Sequence, residues 1–303
     1  MFKQCANFLK SGTLVIASTS LFSSDLLAGE HRPVLSPDGS SVVFMSQAEN
    51  DDWDLFIMQP DGTARRQLTN RRGWDGYAVW SPDQDHIVFD QGDPTDDSKK
   101  QPTILDLTTG ATRQLGEYIG WLSVNDWHGD NLLAFWEREG QRDLFLLDAD
   151  GNIVRQLTNT PDQSEHDAHF SPDGTKVVFA SGPREGSGKT TLETLDLTSG
   201  SRRLLKDSVG RIYGIDWSPD GQFIAFTDAP GGEDDDADVY LYDLKNSDVT
   251  QCVDNDAWDH MPVWTPDGKS VLFTSYRTGN ERIYWTDCAS STLRLWLGSG
   301  SAK

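Results

Sequence analysis

Three histidines in this sequence each follow an acidic residue: Glu30-His31, Glu165-His166 and Asp259-His260. Each pair stands at the same distance before a Ser- or Thr-Pro-Asp-Gly tetrapeptide, beginning at Ser36, Ser171 and Thr265. The same count back from Ser81 reaches a fourth acid, Asp75. Closer to such turns stand Asp126, His169 and Asp216. Imidazoles and carboxylates together suit transition-metal dications, whereas carboxylates alone suit Ca²⁺. The same groups can hydrogen-bond a polar ligand. The spacing therefore gives ten candidates for one polar ring: Glu30, His31, Asp75, Asp126, Glu165, His166, His169, Asp216, Asp259 and His260. Within it, His31, His166, His169 and His260 are the candidate metal ligands. No His-Glu-x-x-His or Cys-x-x-Cys spacing accompanies them. Adjacent strand residues face opposite ways, so not every pair can reach one point.

The elements that must position these groups come from a repeat. Turns begin at Ser36, Ser81, Ser171, Ser218 and Thr265, about every 45 residues with one double gap. A degenerate copy fills that gap at Trp127-His128-Gly129-Asp130. A bulky residue precedes each turn: Leu35, Trp80, Trp127, Phe170, Trp217 or Trp264. A short apolar strand follows, as in Val42-Val43-Phe44 or Val271-Leu272-Phe273. Third and fourth strands complete each unit, for example Asp54 to Met58 and then Arg66-Gln67-Leu68. In the turn, Pro fixes φ, Asp accepts local backbone hydrogen bonds and Gly takes the left-handed position. Six copies of four short antiparallel strands predict an all-β fold, a six-bladed β-propeller over residues 29–303. The first strand of each blade then lines the central channel, and the ring of candidates falls at a channel mouth. Both ends of the repeat array are complete, so no strand need be exchanged between them.

The repeat resembles that of the TolB-like propellers. Pro262-Val263-Trp264-Thr265-Pro266-Asp267-Gly268, running on to Phe273, carries nearly its full text. The resemblance covers about residues 30–297 and implies the propeller alone, without the α/β domain that precedes it in TolB. Oligogalacturonate lyases also resemble this repeat and gather histidines around a metal in the channel. That resemblance implies a metal-dependent polysaccharide lyase as the catalytic alternative, with His31, His166, His169 and His260 in that part. Such a lyase needs a base for the proton α to a carboxylate and a cation to neutralise that carboxylate.

Charge and termini narrow the function. The chain holds 48 acidic against 26 basic residues, a net charge of -22. That field repels nucleic-acid backbones and anionic lipid surfaces, leaving a protein partner or a saccharide. Residues 1–28 read as a cleaved signal peptide: Lys3 and Lys10, an apolar run from Thr13 to Phe22, then Leu26-Leu27-Ala28. No other stretch is long enough to span a bilayer, so the expectation is a monomer, periplasmic or secreted, with no membrane segment. Cys252 falls at a core Leu position late in a strand and Cys288 near a turn of the next blade, which predicts two free thiols. No Gly-x-Ser-x-Gly elbow is present. The sequence thus favours a non-catalytic binding scaffold, with Trp74, Trp121 and Trp258 placed either to stack on a ligand or to plug the blades.

Overall fold

The computed structural model describes residues 29–47, 52–184, 188–208, 210–230, 237–253, 255–288 and 294–295. The expected leader, residues 1–28, lies outside them. Apolar runs of about five residues, punctuated by turn residues, form strands too short to bury anything alone. They are buried instead by stacking sheet upon sheet. Six four-stranded antiparallel sheets result, each built from strands consecutive in sequence. Blade 1 runs from His31–Leu35 to Arg66–Gln67, blade 2 from Asp75–Trp80 to Thr112–Gln114, and blade 3 from Trp121–His128 to Ile153–Gln156. Blade 4 runs from Gln163–Phe170 to Arg202–Asp207, blade 5 from Arg211–Trp217 to Val249–Gln251, and blade 6 from Asp259–Trp264 to Arg294–Leu295. The first strand of every blade contacts the first strands of both neighbours, so these six strands close a ring around the channel. Among the described strands none is exchanged between blades. No helix among the described residues is long and apolar enough to cross a membrane.

The core lies between blades. Val43, Leu55, Trp80 and Phe89 pack blade 1 on blade 2, and Val178, Ile212, Trp217 and Phe226 pack blade 4 on blade 5. The turns behave as their residues dictate. Ser36 Oγ donates to Asp38 Oδ1 at 2.8 Å, and the Ser40 N–H donates to the same oxygen at 2.9 Å. Gly39 closes the turn at φ 71°, and in blade 2 Gln84 adopts the same left-handed conformation at φ 67°.

The cysteines overturn the expectation of free thiols. Cys252 and Cys288 form a disulfide, with Cα atoms 4.7 Å apart. Cys252 does occupy the interblade Leu position, but that position lies beyond the end of the fourth strand, Val249–Gln251. There the chain is crossing to the next blade, and Cys252 packs with Val253, Tyr284 and Cys288. The bridge therefore joins blade 5 to blade 6.

Candidate functional site

A β-bulge interrupts the first strand of every blade. Pairing with the second strand skips residues between His31 and Val34, Gly76 and Val79, His166 and His169, Tyr213 and Asp216, and His260 and Val263. In blade 3 it skips Asn125. The bulged residue sits in the left-handed region in five blades: Arg32 (φ 51°), Tyr77 (54°), Asp167 (47°), Gly214 (55°) and Met261 (55°). A bulge bends the strand and re-aims its side chains. Here it turns one residue per blade toward the axis. At Gly214 an added Cβ would stand 2.8 Å from the Cα of Met261, so the approach of blade 6 leaves room only for glycine.

Arg32, Tyr77, Asn125, Asp167 and Met261 form a waist that divides the channel, because they border cavities on both sides. Arg32 lies with its guanidinium carbon 4.1 Å from the centre of the Tyr77 ring. Asp167 Oδ2 accepts the Gly214 N–H at 3.2 Å. Burial pushes the Asp167 carboxyl up, but His166, Arg32 and that N–H together hold it below its ordinary range.

On the turn side of the waist opens a cavity of about 580 Å³. Its walls are Val34, Leu35, Ile215 and Val263, its rim the turn prolines Pro37, Pro82, Pro172, Pro219 and Pro266. Asp126, His169 and Asp216 also line it. Two of these three fasten blades together. Asp126 Oδ2 accepts the Phe170 N–H at 2.8 Å, and Asp216 Oδ2 accepts the Trp264 N–H at 2.7 Å. Burial pushes the Asp216 carboxyl up to about 6, against the pull of His169 and the Trp264 N–H.

On the other side lies a smaller chamber of about 260 Å³, lined by His31, His166 and His260 together with Arg32, Arg142 and Arg211. Arg32, Arg142 and Arg211 share the chamber with Asp167, and Arg142 Nε donates to Glu137 Oε2 at 2.6 Å. Burial, and then Arg142 and Arg211, hold His166 below the usual imidazole value despite Asp167 beside it. Trp121 and Trp258 also border the chamber, but their edges are engaged. Trp121 Nε1–H donates to Asp90 Oδ2 at 2.8 Å, and Trp258 Nε1–H donates to the Tyr213 hydroxyl at 3.0 Å. Trp74 packs on Tyr77 with ring centres 5.0 Å apart.

A family model described as the TolB beta propeller domain matches residues 184–301. The chain's propeller is similar to that of the TolB proteins. It is 30% identical over 167 residues to the "Protein TolB homolog" of Chlorobium luteolum, covering 54% of this chain and 36% of that relative. The chain thus spans about a third of that relative's length. Among solved structures, TolB from Acinetobacter baumannii superposes with a TM-score of 0.69 at 18% identity, covering 85% of this chain and 63% of that one. An oligogalacturonate lyase in complex with manganese superposes at 0.59 with 19% identity, covering 85% and 77%. At such identities both show the fold alone.

The TolB-like propeller separates the ten candidates into three groups. Glu30, Asp75, Glu165 and Asp259 line neither channel cavity. Three of them sit in clasps between strands. Glu30 meets Arg65 at 2.6 Å, Glu165 meets Arg202 at 3.3 Å, and Asp259 meets Arg277 at 2.9 Å. Each arginine also lies over the Phe that ends the second strand's apolar run, Phe44, Phe179 or Phe273. Asp75 has no arginine clasp of this kind, and burial, with Asp54 nearby, pushes its carboxyl up to about 7.

The four histidines do not gather at one point. His169 lies in the wide cavity, and His31, His166 and His260 border the small chamber. The bulge is the cause, since it falls between the fifth and second positions before the turn and sends them to opposite ends. His31 and His260 meet because blades 1 and 6 are neighbours, with ring centres 5.2 Å apart. His166 belongs to blade 4, across the ring. Their third companion is Glu281, whose Oε1 is 3.1 Å from His31 Nδ1 and 3.8 Å from His260 Nε2. Sequence reasoning missed Glu281 because it precedes a third strand, outside the segment being compared. It missed the waist because that position holds Arg, Tyr, Asp, Gly and Met, which share no chemistry.

Proposed function

We propose that this chain is an exported TolB-like propeller that binds a protein partner through the wide mouth of its channel and carries out no chemistry of its own. The observation that carries this reading is the form of that mouth: about 580 Å³, with an apolar wall and a proline rim. A rigid concave surface of this kind suits a polypeptide segment, and loops and rims on a rigid frame are where propellers bind. Asp126 and Asp216 at its floor, in a strongly acidic chain, favour a segment bearing a basic residue. The Cys252–Cys288 bridge supports export to the periplasm or beyond, where disulfides persist. The test is capture from a periplasmic extract by the wild type, by Val263→Asp at the wide mouth and by Arg142→Ala at the small chamber. Loss of the captured protein with Val263→Asp alone supports the reading. Equal capture by all three removes it.

One observation favours a second reading, a lyase acting on an acidic saccharide. The small chamber holds Arg32, a cation for a carboxylate, and His166, an imidazole that burial keeps below its ordinary value and that can serve as a base. Incubation with polygalacturonate and detection of unsaturated products decides it. Product that disappears with His166→Ala would establish catalysis, and no product with the wild type would end this reading.

A further inference from the structure

The boundary where the ring closes is built differently from four of the others. Between blades 1 and 2 the Trp80 indole N–H donates to the Val34 carbonyl at 3.1 Å, and between blades 4 and 5 Trp217 donates to His169 at 3.2 Å. Between blades 3 and 4, and 5 and 6, Asp126 and Asp216 take the neighbouring backbone N–H. Between blades 6 and 1, His31 comes instead from the first blade, and His260 and Glu281 from the last. One ligand atom from each lies within 4.8 Å of the other two. Ligands of a tetrahedral ion at about 2.0–2.2 Å stand roughly 3.3 Å apart. The separations of 3.1 and 3.8 Å from Glu281 Oε1 bracket that value.

A second, independent observation points the same way. The His260 side chain is 1% exposed, and neither of its ring nitrogens has a hydrogen-bond partner. Buried polar groups without partners are rare and call for a reason. The ring cannot easily turn to find one, because Trp258 is stacked on it, 4.1 Å away and 9° from parallel. His31 and Glu281 border a small cavity of about 210 Å³, which gives a path of entry.

We propose that His31, His260 and Glu281 are the protein ligands of a first-row transition-metal dication of the zinc type, which clips the last blade to the first. Two imidazoles and one carboxylate are a donor set for such ions, while Ca²⁺ and Mg²⁺ take oxygen ligands. The site lies on the small-chamber side of the waist, so it stands or falls separately from partner binding at the wide mouth.

The test uses the untagged full chain, stripped with EDTA under non-reducing conditions. It is titrated with Zn²⁺ in excess Mg²⁺, which occupies the acidic surface. Binding is followed by calorimetry, and the thermal midpoint is measured with and without Zn²⁺. The expected result is one equivalent of Zn²⁺ and a raised midpoint. Glu281→Gln should weaken binding by about tenfold or more, and His86→Ala, at a surface histidine, should leave it unchanged. Should His260→Ala fail to fold, Glu281→Gln together with the visible spectrum of bound Co²⁺ decides. The proposal is overturned if the wild type takes up no more Zn²⁺ than Glu281→Gln, or if Mg²⁺ displaces it.

Discussion

The indole N–H of Trp217 donates to the main-chain carbonyl of His169 at 3.2 Å, tying blade 5 to blade 4. Trp80 does the same to Val34 between blades 2 and 1. At these two turns the bulky residue is thus a fastener as well as core. Trp217→Phe keeps most of the apolar contact and leaves the carbonyl unpaired. It should cost about 1–3 kcal/mol in urea denaturation. An unchanged midpoint would show that the hydrogen bond contributes nothing.

Asp259 is fully buried and depends on Arg277, whose Nη2 stands 2.9 Å from both carboxylate oxygens. Removing the arginine strands a buried charge. Arg277→Ala should therefore destabilise by about 3–5 kcal/mol, and Asp259→Asn, which removes the charge, by less. Thermal and chemical denaturation of the two variants side by side test this ordering.

Burial pushes Asp90 up to about 7, opposed first by the hydrogen bond from Trp121. A raised carboxyl binds its proton in the folded state at a pH where the unfolded chain has lost it. Asp90 therefore contributes stability at acid pH that is lost as pH rises from about 4 through about 7. Each tenfold gain in proton affinity on folding corresponds to about 1.4 kcal/mol. Buried His166 works the other way below its ordinary value, so the comparison must be made between variants. Relative to Asp90→Asn, the wild type should lose stability between about pH 4 and pH 7. A constant difference across that range would contradict the assignment.

Cys252 and Cys288 are separated by 36 residues. Closing a loop of that length restricts the unfolded chain by about 4 kcal/mol. Reduction, or the paired change Cys252→Ala with Cys288→Ala, should lower the melting temperature by several degrees. Free-thiol titration of the native protein should find neither sulfur reactive.

The blades were legible in the sequence because each repeat carries its own turn chemistry and its own apolar strand. Ser81-Pro82-Asp83-Gln84 shows how far that reaches, since Gln84 follows the glycine conformation although it is not glycine. The channel was legible only in part. Counting back from the turn located His31, His166 and His260 on one side and Asp126, His169 and Asp216 on the other, but assumed that they shared a mouth. The bulge between them leaves no residue type as its mark. Glu30, Glu165 and Asp259 looked like ligands because they precede histidines, yet their partners Arg65, Arg202 and Arg277 lie elsewhere in sequence and come together with them only when the blade folds. Cys252 misled for a related reason: its position marks the crossing between blades, not the height of a strand.

Entry of a protein partner at the wide mouth is open to direct test by site-specific photocrosslinking in the periplasm, with a benzophenone amino acid at position 263 or at position 142. Binding at the wide mouth predicts a discrete protein adduct from position 263, beside the apolar wall, and none from position 142 in the arginine-lined chamber. Adducts from position 142 alone, or from neither position in a folded protein, would contradict it.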